Sequence, residues 1–166
     1  MIIIKKICLI LLPILFICFA TGCSDDPESL ALRHSREVSE KIHKLYKEKS
    51  QELSSNVERF FALRIDAADG SENTFITIEK DENGNWQYYC DDYIREPFDT
   101  EDKDLIEIID ALYIDYEVRS ITIDDTSIRF VISLDELIYS KDKIDEGGLN
   151  MHIEGDWYHF KFPYGI

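Results

Sequence analysis

The sequence predicts one α+β domain in which a long N-terminal helix and a second helix pack on a mostly antiparallel sheet. Two observations favour this class. The region after Pro27 carries apolar residues at helical spacing, and most of the chain beyond it consists of short alternating runs that end at turn residues. The predicted order is a helix, three strands, a helix and then four or five strands, which is typical of α+β domains.

The N-terminal helix is predicted over residues 28–60, because apolar residues recur there at three- and four-residue steps with charged residues between them. Pro27 suits the first turn of a helix. The polar run at 54–56 predicts a bend. Beyond it, apolar and polar residues alternate over 61–67, which predicts a strand.

The first hairpin is predicted to turn through a three-residue loop with Gly84 in the left-handed conformation. A two-residue Asn-Gly turn is rejected, because it would mix large apolar and polar groups on each face. The accepted register gathers the large apolar residues on one face and pairs Lys80 with Trp86, Ile78 with Tyr88, and Ile76 with Cys90. Cys90 is therefore predicted to belong to the core.

A second helix is predicted over 101–113, with Thr100 as its N-cap and acidic residues in its first turn, where the helix dipole favours negative charge. A hairpin over 118–133 follows. Its large residues share one face in a register that pairs Ile123 with Ile128 and Ile121 with Phe130. A short strand is predicted at 137–140.

The last hairpin is predicted to turn at Gly155-Asp156. Its predicted register gathers apolar residues on one face and pairs Ile153 with Tyr158, Met151 with Phe160, and Leu149 with Phe162. The opposite face then carries Trp157 and two directly opposed imidazoles, those of His152 and His159.

This outline is similar to the cystatin-like and nuclear-transport-factor-like domains, and to helix-plus-sheet protein inhibitors. The similarity is one of architecture and involves no shared motif. It implies that the long helix lies against a curved sheet, and it carries little weight for function.

The first 23 residues have the parts of a secretory signal. Two lysines precede an apolar run over 7–20, which is shorter than the roughly 20 residues needed to span a bilayer. Ala20-Thr21-Gly22-Cys23 follows, and polar residues begin at Ser24. This segment resembles the lipobox of bacterial lipoproteins, although Ala20 stands where leucine is usual. The resemblance implies cleavage before Cys23 and a lipid on that cysteine.

The lipobox resemblance divides the chain into a signal peptide (1–22), a lipidated cysteine with a short tether (23–29) and a single α+β domain (30–166). It implies a place in the cell envelope, with the lipid in the outer or the cytoplasmic membrane and the domain facing the periplasm or the exterior. An ordinary cleaved signal peptide and an uncleaved anchor helix are the alternatives.

The mature chain is strongly acidic. Loss of the two leader lysines leaves 16 basic residues against 34 acidic ones, a net charge of −18. This charge disfavours nucleic acid and anionic lipid head groups and favours a basic partner. Only Cys23 and Cys90 remain, so acylation of Cys23 leaves no intramolecular disulfide and the fold depends on its core.

The sequence carries none of the familiar catalytic motifs: no Gly-x-Ser-x-Gly elbow, Walker loop, His-Glu-x-x-His or Cys-x-x-Cys. We therefore expect no enzyme and no cofactor apart from the lipid on Cys23. Residues 81–85 partly match a calcium loop, but Trp86 stands where that loop needs glycine, and a hairpin turn accounts for them better.

Two kinds of candidate site remain. His152 and His159 could bind a transition metal ion with Glu154 as a third ligand, although a polar face with two histidines is the simpler interpretation. Tyr89 and Trp157 are assigned to the outer faces of their hairpins. They are the candidate protein-interface residues, because each combines a large apolar body with a polar end. Packing in the core and at sheet edges is the simpler interpretation for most of the other tyrosines and tryptophans.

These features favour a membrane-anchored, non-enzymatic module that binds a protein partner, such as an inhibitor or immunity protein that neutralises a secreted toxin. The alternative is an envelope lipoprotein that carries a small ligand or metal in a pocket between helix and sheet. A structural role in envelope assembly is a third hypothesis.

Overall fold

The computed structural model describes residues 27–67, 75–90, 94–98, 100–145 and 148–163. These residues form three helices: α1 Pro27–Ser55, α2 Val57–Ala67 and α3 Lys103–Tyr116. They also form eight strands: β1 Ile76–Lys80, β2 Trp86–Cys90, β3 Ile94–Pro97, β4 Ser120–Ile123, β5 Ser127–Ile132, β6 Asp135–Ser140, β7 Asn150–Glu154 and β8 Trp157–Phe160. The predicted α+β class is confirmed.

The eight strands form one sheet in the order β3-β2-β1-β4-β5-β6-β8-β7, and each neighbouring pair is antiparallel. The helices pack on one face of the sheet, here called the covered face; the other is the open face. The core lies between the helices and the covered face, and its largest fully buried side chains are Phe60, Phe130, Ile42, Leu45, Leu53, Ile76, Ile78, Leu105, Ile109, Leu112, Ile121 and Ile123.

The long N-terminal helix and its bend are confirmed. Helix α1 ends at Ser55 and α2 begins at Val57, with Asn56 between them. The Asn56 side chain donates a hydrogen bond to the backbone carbonyl of Glu52 (2.8 Å). The backbone carbonyl of Asn56 accepts from the backbone N–H of Arg59 (3.0 Å). These bonds use backbone groups that a helix break would otherwise leave unpaired.

The strand predicted over 61–67 is wrong, because this segment continues α2 to Ala67. Val57, Phe60 and Phe61 form a buried stripe at helical spacing, and the Phe60 ring meets the Phe130 ring edge-on at 5.8 Å. A short alternating run is compatible with either period. Packing of Phe60 against the sheet selects the helix.

Two predicted registers are confirmed. In the first hairpin Ile78 pairs with Tyr88 and Ile76 with Cys90, and in the second Ile121 pairs with Phe130 and Ile123 with Ile128. The predicted strand at 137–140 lies within β6. Strand β3 was not predicted; it is four residues long and ends at a proline, a residue that sheets tolerate mainly on edge strands.

Helix α3 begins two residues later and ends three residues later than predicted. Its N-cap is Asp102 and not Thr100, because the Asp102 carboxylate accepts the backbone N–H of Leu105 at 3.1 Å. Thr100 supports this cap, since its hydroxyl accepts the N–H of Asp102 at 3.2 Å. Arg59 of α2 also binds the Asp102 carboxylate and lowers its pKa, mainly through that hydrogen bond.

The register predicted for the last hairpin is wrong by one residue. The structure pairs Asn150 with Phe160, Met151 with His159, His152 with Tyr158, and Glu154 with Trp157. The shift comes from a bulge between His152 and Glu154, which adds one residue to β7. A one-residue slip moves every side chain of a strand to the other face.

The predicted signal peptide, Cys23 and most of the tether lie outside the described residues. Among the helices of the described ranges, none combines the length and the apolar character that a membrane span requires.

Candidate functional site

The structure places His152 and His159 on opposite faces of the sheet. His152 pairs with Tyr158 on the open face, where their rings lie 5.1 Å apart, and its Nε2 donates to the carbonyl of Gly155 at 2.8 Å. His159 is the neighbour of Tyr158 along β8, so it points to the covered face. The predicted cross-strand pair of imidazoles is therefore wrong.

His159 forms a buried pair with Asp135 on the covered face. Its Nε2 lies 2.9 Å from Asp135 Oδ2, and both side chains are almost fully buried. Asp135 Oδ1 accepts the backbone N–H of Phe162 at 3.0 Å, and the ring of His43 on α1 meets the His159 ring edge-on at 5.7 Å. This pair ties the start of β6 to the chain after β8 and to the long helix.

Burial lowers the pKa of His159 from its usual value of 6.5, and the neighbouring Asp135 carboxylate only partly opposes the shift. The neutral imidazole then donates from Nε2 to Asp135, which leaves Nδ1 as an acceptor. Within the described chain, His159 Nδ1 and Ser39 Oγ are buried without a hydrogen-bond partner. Because His159 is closed to solvent, we assign the pair to positioning of the strands.

The described ranges contain no group of three or more His, Cys, Asp or Glu side chains arranged to hold a metal ion. The geometry of the last hairpin therefore gives the metal prediction no support.

Trp157 was predicted to lie at an exposed interface, and this placement is wrong. Trp157 pairs with Tyr139 of β6 on the covered face, where it is only 5% exposed. Its ring contacts those of Tyr46, Phe130 and Tyr139, and its Nε1 donates to Ser54 Oγ at 3.2 Å. Trp157 is a core residue that joins β8 to the C-terminal part of α1.

Tyr89 lies on the open face, as its register predicted, opposite Thr77 of β1. Its hydroxyl donates to Glu79 Oε1 and accepts from Gln87 Nε2 at 3.3 Å, so its polar end belongs to a surface network. Its role as a protein-interface residue stays a prediction. Cys90 lies on the covered face, half-buried and packed against the core.

A groove of about 770 Å³ lies between α3 and the ends of β1, β2 and β3. We call it the Trp86 groove. Trp86 and Phe98 supply its aromatic walls, and Asp110 of α3 reaches across from the helix side. This volume lies within the range of small-molecule sites, roughly 300–1,000 Å³. The groove is open to solvent along one side.

A cation and a carboxylate are held together inside the Trp86 groove. Asp110 Oδ1 accepts from Lys80 Nζ at 3.0 Å and from Trp86 Nε1 at 3.1 Å. Lys80 Nζ also lies 4.7 Å from the centre of the Trp86 ring and 4.4 Å from that of Tyr113. Lys80, the one cation among the described residues of the groove lining, is therefore already paired with a carboxylate and two aromatic rings.

A second carboxylate of the groove lining is less engaged with cations. Asp81 at the β1–β2 turn accepts the backbone N–H groups of Asn83 and Asn85, each at 2.8 Å. These bonds, led by the one from Asn85, lower the pKa of Asp81 and favour its ionised form. Among the described residues that line the groove, one lysine stands against two aspartates, a net charge of −1.

The sequence indicated part of this groove. The first hairpin's register already placed Lys80 opposite Trp86 on the covered face. The contact with Asp110 was missed, because the sequence of α3 does not indicate which strand the polar side of this helix contacts. The groove's third wall, β3, was also missing from the prediction.

No protein-family model matches this chain, and neither the curated proteins nor the solved structures contain a match to it. The function of the protein is therefore inferred from the residues of the domain.

Proposed function

We propose that the chain is a lipid-anchored envelope protein whose domain binds a protein partner in the Trp86 groove and catalyses no reaction. The open, aromatic groove with an uncompensated carboxylate is the observation that carries this proposal. An inhibitor or immunity protein against a secreted toxin is the concrete form that the proposal takes.

The shape and chemistry of the groove favour a protein side chain as its occupant. Sites for small molecules bury most of the ligand surface, whereas this groove stays open along one side. Tryptophan and tyrosine are enriched among the residues that dominate protein interfaces. Trp86 and Phe98 offer ring faces, and Asp81 offers a charge. An arginine or lysine from the partner would satisfy both.

The net charge of the chain supports the same class of partner. The mature protein carries a charge of about −18, and a surface of one sign raises the rate at which a basic partner is captured. This effect is screened by salt, because the Debye length falls to about 8 Å at physiological ionic strength. Capture of the partner is therefore expected to slow as salt is added.

The test is recovery of a partner from envelope extract at low and high salt, with the lipoprotein as bait. We expect a basic protein to be recovered, with an affinity that Trp86→Ala lowers at least about tenfold, since truncation of an interface anchor typically costs 2 kcal/mol or more. Asp125→Asn, in the exposed β4–β5 turn, is the matched control. Tyr89→Ala tests the open face separately. Recovery of no protein at low salt, or equal recovery by Trp86→Ala, contradicts the proposal.

A small ligand in the same groove is the second candidate, favoured by the groove volume of about 770 Å³. Native mass spectrometry of the purified protein separates the two. A carried ligand adds mass to the wild-type chain and adds none to Trp86→Ala, whereas a protein-binding module shows the unliganded mass.

The lipid anchor has its own test. We expect the intact mass of the mature protein to equal that of residues 23–166 plus acyl groups on Cys23, because the lipobox resemblance implies cleavage before that cysteine. An unmodified Cys23 or a retained leader contradicts the membrane placement, and it leaves the binding experiment on the groove unaffected.

A further inference from the structure

The exposed apolar side chains gather at one end of the domain. Eight large apolar residues are exposed in the described part of the chain, and six of them lie where α1 begins. We call these six the apolar end: Leu30, Leu32, Leu134, Leu149, Met151 and Phe162. The other two, Tyr113 and Ile114, are on α3.

The topology brings these six residues together from four parts of the chain. The β5–β6 turn meets α1 where Ser133 Oγ lies 3.3 Å from His34 Nε2. The start of β7 lies at the same end, because the N–H of Lys161 donates to the carbonyl of Leu149 at 2.8 Å.

A shallow pocket of about 270 Å³ opens within the apolar end. Leu32 of α1, Met151 of β7 and Phe162 after β8 contribute to its wall. Leu32 is 62% exposed and Met151 43% exposed. Large apolar groups that remain this exposed in a cluster are typical of a surface that contacts a partner or a membrane.

The chain that enters this end is short. Only three residues separate Cys23 from Pro27, the first residue of α1. Even a fully extended chain would keep the Cα atoms of these two residues within about 14 Å. A lipid on Cys23 would therefore keep the start of α1, and with it the apolar end, close to the bilayer.

Basic side chains are also present at this end of the domain. Arg33 and Arg36 lie near the start of α1, with Glu28 before them and Glu37 after them. Lys161 adds a third basic side chain beside the pocket. Long basic side chains at this end can reach lipid phosphates when the apolar residues beside them contact the bilayer.

We propose that the apolar end rests on the bilayer that holds the Cys23 lipid, with Leu32 and Met151 in the interfacial layer and the nearby arginines at the phosphates. This placement deepens the proposed function and depends on its lipid anchor. It would give the domain one fixed orientation on the membrane, where a flexible tether alone would allow many.

The test measures the depth of spin labels in the lipidated mature protein, reconstituted in phosphatidylcholine vesicles. Labels are placed on Leu32→Cys, Met151→Cys and, as the matched control, Asp125→Cys, each in a Cys90→Ala background. Asp125 lies in the β4–β5 turn, at the opposite end of the sheet from the β5–β6 turn. All three positions are exposed, so the labels should leave the core intact; an unchanged thermal midpoint checks this.

We expect the labels at residues 32 and 151 to show severalfold lower collision rates with a water-soluble nickel chelate, and higher rates with oxygen, than the label at 125. Equal nickel access at all three positions, with acylated Cys23 verified by intact mass, overturns the placement and leaves the partner proposal standing. Protection that disappears when the protein-to-lipid ratio is lowered indicates contact between copies of the chain and also overturns it. An unacylated Cys23 in the mass measurement rejects the anchor, and the placement with it.

Discussion

The β1–β2 and β7–β8 hairpins follow the same local plan and end in different environments. In each, a turn with a glycine at positive φ leads directly to a tryptophan that opens the second strand. Trp86 is half-buried and forms the wall of an open groove, whereas Trp157 is 5% exposed and packs in the core.

The difference comes from the helix that covers each hairpin. Trp157 meets the C-terminal half of α1 and is enclosed by aromatic rings, with Ser54 as its hydrogen-bond acceptor. Trp86 meets the polar edge of α3, where Asp110 accepts its N–H and Lys80 lies over its ring. Equivalent local sequences therefore become a structural anchor in one place and a candidate binding wall in the other.

Truncation of each tryptophan to alanine should give the largest difference between the two hairpins. We expect Trp157→Ala to lower the free energy of unfolding by about 3–5 kcal/mol, as for other buried aromatic residues, and Trp86→Ala by only about 1–2 kcal/mol because its side chain is only partly buried. Chemical denaturation of both variants measures this. A larger loss from Trp86→Ala would mean that the groove wall is the true structural anchor.

The second largest expected effect is a pH dependence of stability that comes from His159 in the β7–β8 hairpin. Because burial lowers the pKa of His159, the unfolded chain binds a proton more readily than the folded one as the pH falls below about 6.5. The free energy of unfolding should therefore fall between pH 6.5 and the folded pKa, and His159 should contribute no change at higher pH. Asp135 opposes the shift, while His43 and Lys161 add to it.

Denaturation curves at about pH 7.5 and pH 5.5 test this linkage through the difference between variants. His159→Gln should lose this component of the pH dependence, whatever its absolute stability. His152→Gln, on the open face, should retain it. Identical pH dependence in wild type and His159→Gln would show that the buried pair does not titrate as the structure indicates.

The two turn glycines give the smallest expected effect. Gly84 has φ +82° and Gly155 φ +57°, and an added Cβ at either position meets no atom within 4 Å. The cost of Gly→Ala is therefore backbone strain alone, about 1 kcal/mol at Gly155 and somewhat more at Gly84, which lies further from the left-handed minimum. Gly155→Asn should be milder, since asparagine tolerates this conformation. Thermal unfolding of the three variants checks the order, and a loss above about 3 kcal/mol would indicate a contact beyond strain.

The registers of the first two hairpins could be predicted because loop chemistry and face segregation agreed. In the first hairpin, a three-residue loop and the pairing of Ile78 with Tyr88 point to one solution. In the last hairpin, a bulge at His152/Glu154 replaced the regular ladder. The predicted register had separated apolar from polar residues well, but it placed Trp157 and His159 on the wrong face.

The sequence by itself determined the α+β class, the long helix with a bend within residues 54–56, and the strands whose large residues share one face. Tertiary structure decided that 61–67 is helical, that β7 is bulged, and which tryptophan lies in the core. The physical reason is that a local pattern reports which side chains avoid water but not what will cover them. Trp157 and His159 are buried because α1 lies over β8, and the Trp86 groove exists because α3 meets β1 and β2 with its acidic edge.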